Sequence, residues 1–220
     1  MNTKYRQRIL ELTKKYYDEL DKEDFSHNRD HFFRVENLAK RIAEDEGADI
    51  EVIEAASLLF DIARDLEDRG EIENHAEKGA EIAREILTKI DFPLKKIDNV
   101  CHTILAHRRS KDRNPETREA KILRDADYLD AMGAVDIARV FASALQSQKY
   151  KKPIFLDKPF QDVEGIEHLS AIHFLLHKIN HPKHQPENFY TKLGKRLAIE
   201  RFNFMKEYAQ RFIDEWHGLK

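Results

Sequence analysis

The sequence predicts an all-α fold, a helical bundle with extra helices at its C-terminal end, on three observations. Charge is abundant: 38 Lys+Arg and 41 Asp+Glu make up 36% of the 220 residues, against roughly 25% in an average soluble domain. Chain breakers are scarce, with 7 Gly and 6 Pro, about half of average usage. Apolar residues, 41% of the chain, recur at steps of three and four, which is the spacing of one helical face.

The elements follow in order. Tyr5, Ile9, Leu12, Tyr16 and Leu20 mark a helix over 3–22. Ser26 precedes a second, striped by Val35, Leu38, Ala39 and Ile42 and stopped by Gly47, since glycine accepts the left-handed geometry that ends a helix. Asp49 suits the cap of a third helix, running to about Asp65 with Ile53, Ala56, Phe60 and Ala63 on one face. Asn74-His75-Ala76-Glu77 pairs a cap with a carboxylate three residues on and opens a fourth helix to about Ile90. Pro93 and Pro115 fit first turns, where no backbone donor is lost, so helices are expected over 94–107, 116–131 and 133–147. Residues 149–165 hold two prolines and no period, and read as a loop. A helix over about 166–179, the break HPKHQP and a long amphipathic helix over about 187–216 complete the chain. No stretch reads as an interdomain linker, so one domain over 1–220 is expected.

Composition excludes several classes of function. The single cysteine, Cys101, permits no internal disulfide or CxxC metal site, and between Val100 and Ile104 it reads as a small core residue. A net charge of -3 gives no field for a nucleic-acid polymer. No apolar run nears the roughly 18 residues of a membrane span, mean hydropathy is -0.70, and the charged N-terminus is no secretory signal. A cytoplasmic protein is the expectation.

Ionisable groups on core-facing positions carry the chemical information. His31 lies one turn before Val35, on the apolar stripe. Asp61 ends the run Ala55-Ala56-Ser57-Leu58-Leu59-Phe60, and Asp125, Asp127 and Asp130 interrupt the apolar positions of KILRDADYLDAMGA. Burying such groups is costly unless a partner or a metal satisfies them. Either these groups meet, or they are capping and salt-bridged residues near helix ends.

The blocks SHNRDHFFRVENLAKRIAEDEGAD, LLFDIARDLED, HAEKGAEIAREIL, ILAHRR and AKILRDADYLDAMGAVDIARVF resemble the HD-domain superfamily of metal-dependent phosphohydrolases, and most the small bacterial and archaeal branch of predicted HD hydrolases. HFLLHKI and RLAIERFNFMKEYAQRFIDEWHG extend the likeness, which covers about 25–217, with the HD core at about 25–147 and C-terminal helices at about 166–217. The resemblance implies a divalent metal (Mn, Fe, Ni, Co, Mg or Zn) held by a histidine, a consecutive His-Asp pair and a later aspartate. These positions correspond to His31, Asp61 and Asp127, and the histidine of the pair is replaced by Phe60. It further implies hydrolysis of a nucleotide or another small phosphoester or phosphoanhydride. Arg34, Arg64, Arg108 and Arg109 are then phosphate contacts, unless each forms a surface ion pair. Asp61, His75 and His107 are the catalytic set, the two histidines, with Asp65, as proton shuttles or secondary ligands.

Phe60 admits three readings, because a phenyl ring donates nothing to a metal. Three protein ligands and water hold the ion, with His27 as a substitute one turn before His31; or the site is closed and the protein binds a nucleotide or partner without turnover; or Phe60 is an isolated change in a working enzyme. Separately, His173, His177 and His181 would stack on one face of a continuous helix and could chelate a metal. Pro182 opposes that continuity, and an exposed polar face is the plainer account.

Overall fold

The computed structural model describes residues 3–19, 28–108, 113–161 and 165–220. Among them the chain is all-α: ten α-helices and three short 3-10 turns, with no strand. No helix among the described residues is long and apolar enough to cross a membrane. The chain divides into two compact units whose boundary falls between Asp127 and Tyr128, within one helix.

The first unit contains α1 (Thr3–Glu19), α2 (Arg29–Glu46), α3 (Ile50–Ser57), α4 (Arg64–Asp68), α5 (His75–Lys89), α6 (Leu94–Leu105) and most of α7 (Arg118–Asp130). The caps are those the sequence announces. Asp49 accepts hydrogen bonds from the N–H groups of Glu51 and Val52, and Asn74 from that of Ala76. Gly47 takes the left-handed conformation, φ 63°, that closes α2. At the other end of α2 the Asn28 side chain accepts from the His31 N–H, which fixes that residue in the first turn; Leu20, Ser26 and the end of the first expected helix lie outside the described residues. Ile42, Ile53, Leu59, Phe60, Leu87, Ile104, Ile122 and Leu123 are fully buried between these helices.

The expected third helix, continuous to Asp65, is corrected. α3 ends at Ser57, the chain turns through 58–63, and α4 begins at Arg64. The turn is built from tight bonds such as Leu59 N–H to Ala56 O, Ile62 N–H to Leu59 O and Arg64 N–H to Asp61 O. Leu58, Leu59, Phe60 and Ala63 are all fully buried, so the segment has no solvent face to give a helical period. The Tyr17 hydroxyl donates to the Leu58 carbonyl at 2.7 Å, satisfying one of the acceptors the broken helix releases. Gly79 lets α5 approach this turn: a Cβ there would lie 3.4 Å from the Phe60 carbonyl oxygen and 3.6 Å from that of Leu59.

The second unit contains the end of α7, α8 (Ala134–Gln146), α9 (Ala171–Asn180) and α10 (Lys192–Trp216). The Thr191 side chain caps α10, and Ser170 caps α9. Leu129, Ile172, Leu175, Ala198 and Met205 form its core. Asp136 is buried and accepts from Lys178 Nζ at 2.5 Å and Arg139 Nη2 at 3.1 Å, while Arg139 Nη1 reaches Asp130 at 2.6 Å.

Candidate metal centre

The first unit brings together side chains from five places in the sequence. His31 comes from the first turn of α2, Asp61 from the turn between α3 and α4, and His75 is the first residue of α5. His107 lies two residues beyond α6, and Asp127 is in the last turn of α7. Asp61 sits at their centre, buried. One of its oxygens, Oδ1, is 3.1 Å from His75 Nε2 and 3.2 Å from His107 Nε2; the other, Oδ2, is 3.8 Å from His31 Nε2. Asp127 Oδ1 is 3.4 Å from His31 Nε2. The expectation that His31, Asp61 and Asp127 lie together thus has its geometry, and His75 and His107 join them.

The rear nitrogens of His75 and His107 determine what their front nitrogens can do. His107 Nδ1 lies 2.6 Å from the Ile104 carbonyl, which only accepts, so this nitrogen donates. His75 Nδ1 lies 2.8 Å from Glu67 Oε2, a contact that also requires a proton on the ring. Arg108 Nη1, 3.3 Å from the same Nδ1, donates to that Oε2 at 2.8 Å. With both Nδ1 atoms donating, the two Nε2 lone pairs face each other at 3.3 Å beside Asp61. That gap requires a positive charge, either a shared proton or a cation. Neither ring is aligned for an ordinary hydrogen bond to Asp61 Oδ1, which is buried without one.

The electrostatics follow from this packing. Burial opposes the charge on Asp61, yet His107 and then His75 hold its carboxyl well below the usual carboxylate range. Burial likewise opposes protonation of His107, yet Asp61, with help from Asp127, raises it above an ordinary histidine. Against partial burial, the His75 backbone N–H, at 2.7 Å, then the His75 ring and the Arg108 guanidinium lower Glu67.

Phe60 is fully buried in the wall of this cluster. Its ring centroid lies 5.4 Å from that of His31, 5.2 Å from that of His107 and 5.4 Å from that of Phe32. Of the expected phosphate contacts, Arg108 is engaged with Glu67, Arg64 pairs with Asp68 at 3.3 Å, and Arg34 is half-buried one turn after His31. Burial works against the Arg64 charge, but Asp61 and Asp68 hold it in place. Asp65 pairs with Arg69. Asp125 is fully buried on α7, and Asp130 belongs to the second unit. Arg109 and His27 lie outside the described residues.

The histidines of the second unit do not stack along one helix. α9 ends at Asn180, and His173 is buried, bonded to Ser170 Oγ at 2.7 Å and the Lys158 carbonyl at 3.1 Å. The His181 ring lies instead between those of His177 and His184, at 5.3 and 5.0 Å. Cys101 is buried and donates to the Ala80 carbonyl, as a small core residue would. Glu67 had no sequence signal: in LEDRGE it reads as one more surface carboxylate.

The HD domain family model matches residues 28–132, the span that carries all five clustered side chains. The crystal structure of a predicted HD superfamily hydrolase from an uncultured Thermotogales bacterium is 30% identical, with a TM-score of 0.68 over 96% of this chain and 92% of that one. Bacillus subtilis YpgQ is 28% identical over 205 residues, 91% of this chain and 89% of its own. A crystal structure of YpgQ in complex with ADP is similar with a TM-score of 0.66, over 96% of each chain at 24% identity.

Proposed function

The chain belongs to the HD-domain superfamily, and from that premise we propose that it is a metal-dependent phosphohydrolase acting on a nucleotide or another small phosphoester or phosphoanhydride. The observation that carries this reading is the buried cluster of Asp61, His75 and His107, with His31 3.8 Å from the other Asp61 oxygen and Asp127 3.4 Å from His31. Imidazole nitrogen with carboxylate oxygen is the donor set of a divalent transition ion, so the residues fit the metal that the family implies. Asp61 would hold the ion, with further donors drawn from His31, His75, His107 and Asp127. When bound, a divalent ion supplies Lewis acidity toward a phosphoryl oxygen and toward water.

The chain's own residues do the rest. Asp61 stays ionised and keeps negative charge at the centre of the cluster. His75 and His107 present Nε2 atoms there, as ligands or as proton carriers. Arg34, one turn after His31, and Arg64, whose charge Asp61 favours, would contact the phosphate, and Arg108 could join them by leaving Glu67. That ADP is bound by YpgQ supports a nucleotide as the ligand class.

Turnover tests the reading. A panel of nucleotides and phosphomonoesters with Mn²⁺, Co²⁺, Ni²⁺ or Mg²⁺ should release phosphate or pyrophosphate, and chelation should stop it. The buried Phe60 ring favours a second reading, a nucleotide-binding protein without turnover. Nucleotide binding with no hydrolysis under any of these ions would replace the first reading with the second.

A further inference from the structure

We infer that Arg139 is a positioning residue for Asp127: together with Arg201 it closes the last turn of α7, and that turn sets the contact between Asp127 and His31. The role rests on the metal-dependent reading above, in which Asp127 is one of the donors around Asp61. Asp127 needs outside help to stay in place. Its side chain is 23% exposed, against 5% for His31 and for Asp61, so packing confines it least of the three and the backbone beneath it matters most. That backbone lies where a helix is weakest. The last four carbonyls of an α-helix have no partner within it, and its C-terminal end carries partial negative charge. α7 brings Asp125, Asp127 and Asp130 to that end and has no basic residue of its own in the last turn.

Two arginines from later in the chain supply what the turn lacks. Arg139 Nη2 donates to the Asp130 carbonyl at 2.9 Å while its Nη1 donates to Asp130 Oδ2 at 2.6 Å, and Arg201 donates to the Leu129 carbonyl. Backbone bonds finish the turn, from Ala131 N–H to Tyr128 O at 3.2 Å and from Met132 N–H to Leu129 O at 3.1 Å. Gly133, at φ 85°, leaves room for the Arg201 stem, because a Cβ there would lie 3.1 Å from Arg201 Cγ. Arg139 is aimed in its turn by the buried Asp136, to which Nη2 donates at 3.1 Å, and Asp136 accepts from Lys178 Nζ at 2.5 Å. This chain of charges ends at Asp130, one helical turn from Asp127, whose Oδ1 is 3.4 Å from His31 Nε2. Only a guanidinium fork can hold the carbonyl and the carboxylate of Asp130 at once; an ammonium is a single point charge.

The first test needs no ion. The full chain with ¹⁵N-labelled histidine is followed by long-range ¹⁵N–¹H correlation at neutral pH, with Asp127→Asn as the reference for a lost contact. In Arg139→Gln the His31 Nε2 resonance should move toward its position in Asp127→Asn, while those of His75 and His107, held by Glu67 and the Ile104 carbonyl, stay in place. Arg139→Lys should move it part of the way. In calorimetry with Mn²⁺, Arg139→Gln should weaken binding about tenfold, the lower end of the 10–100-fold that outer partners are worth. A folded Arg139→Gln that melts earlier but leaves His31 unmoved overturns the positioning role and leaves the metal-dependent reading standing. A wild-type chain that binds no divalent ion overturns that reading, while the His31 resonance still decides the role of Arg139. Should Arg139→Gln fail to fold, Arg139→Lys carries the test, and an unmoved His31 there overturns the role.

Discussion

Phe60 and His107 meet edge to face, their ring centroids 5.2 Å apart and their planes at 81°. A hydrocarbon ring therefore shares a wall with an imidazole whose affinity for protons Asp61 raises. The same ring also packs against His31, their centroids 5.4 Å apart, so Phe60 contacts two of the three histidines around Asp61.

Phe60→His should strengthen divalent-ion binding, because it adds a nitrogen donor in the wall of the cluster, next in sequence to Asp61. A gain on the order of tenfold or more is expected from one added ligand, given that even outer partners are worth about 10–100-fold. The same variant should lose stability, since it buries a polar ring in place of an apolar one. Calorimetric titration with Mn²⁺ and Co²⁺ checks the first effect and thermal melting the second. Unchanged affinity in a folded variant would show that Phe60 does not stand in for the missing ligand.

Glu67 should matter as much as a direct ligand while touching no ion. Its Oε2 takes three donors, His75 Nδ1 at 2.8 Å, the His75 backbone N–H at 2.7 Å and Arg108 Nη1 at 2.8 Å. Glu67→Ala removes the acceptor that keeps the proton on Nδ1, and ion affinity should fall about 10–100-fold. Glu67→Gln keeps an accepting oxygen and should recover part of that loss. Equal affinities for wild type and alanine variant, measured by competition with a fluorescent chelator, would remove Glu67 from the account.

The two histories of Asp61 and Glu67 show what the sequence could and could not reveal. Asp61 is legible because it closes an apolar run, where a carboxylate is out of place without a partner. Glu67 stands in a charged stretch and gains its role only when α5 delivers His75 beside it. The capping box at Asn74 was readable, and it places His75 at the start of α5; the direction of that ring depends on packing. The turn at 58–63 was hidden for the opposite reason: burial on every side leaves no polar face for a period to reveal. His184 was lost in HPKHQP, where two prolines announce only a break.

The Tyr17 hydroxyl is predicted to stabilise that hidden turn. It donates to the Leu58 carbonyl at 2.7 Å in a buried setting, tying α1 to the end of α3. Tyr17→Phe leaves the acceptor buried and unbonded, a loss of about 1–3 kcal/mol. Urea unfolding of the two proteins measures it, with the slope unchanged if the folded state is otherwise intact. A midpoint equal to wild type would mean the carbonyl finds another donor.

Acid should destabilise the second unit through His184. Burial first, then the Lys178 ammonium, push this histidine from 6.5 down to about 4. The folded protein therefore holds the ring neutral at a pH where the unfolded chain has already protonated it. The unfolded state then binds more protons, so stability is fully present above the unfolded value near 6.5 and drains away as pH falls toward 4. The full drop would be about 3 kcal/mol for a shift of this size. His184→Asn removes the titrating group while its amide can still donate to the Lys178 carbonyl, the partner of His184 Nδ1 at 3.2 Å. Melting curves between neutral pH and pH 4 should be flatter for the variant than for wild type. If the two pH profiles run parallel, His184 is not the group that makes this unit sensitive to acid.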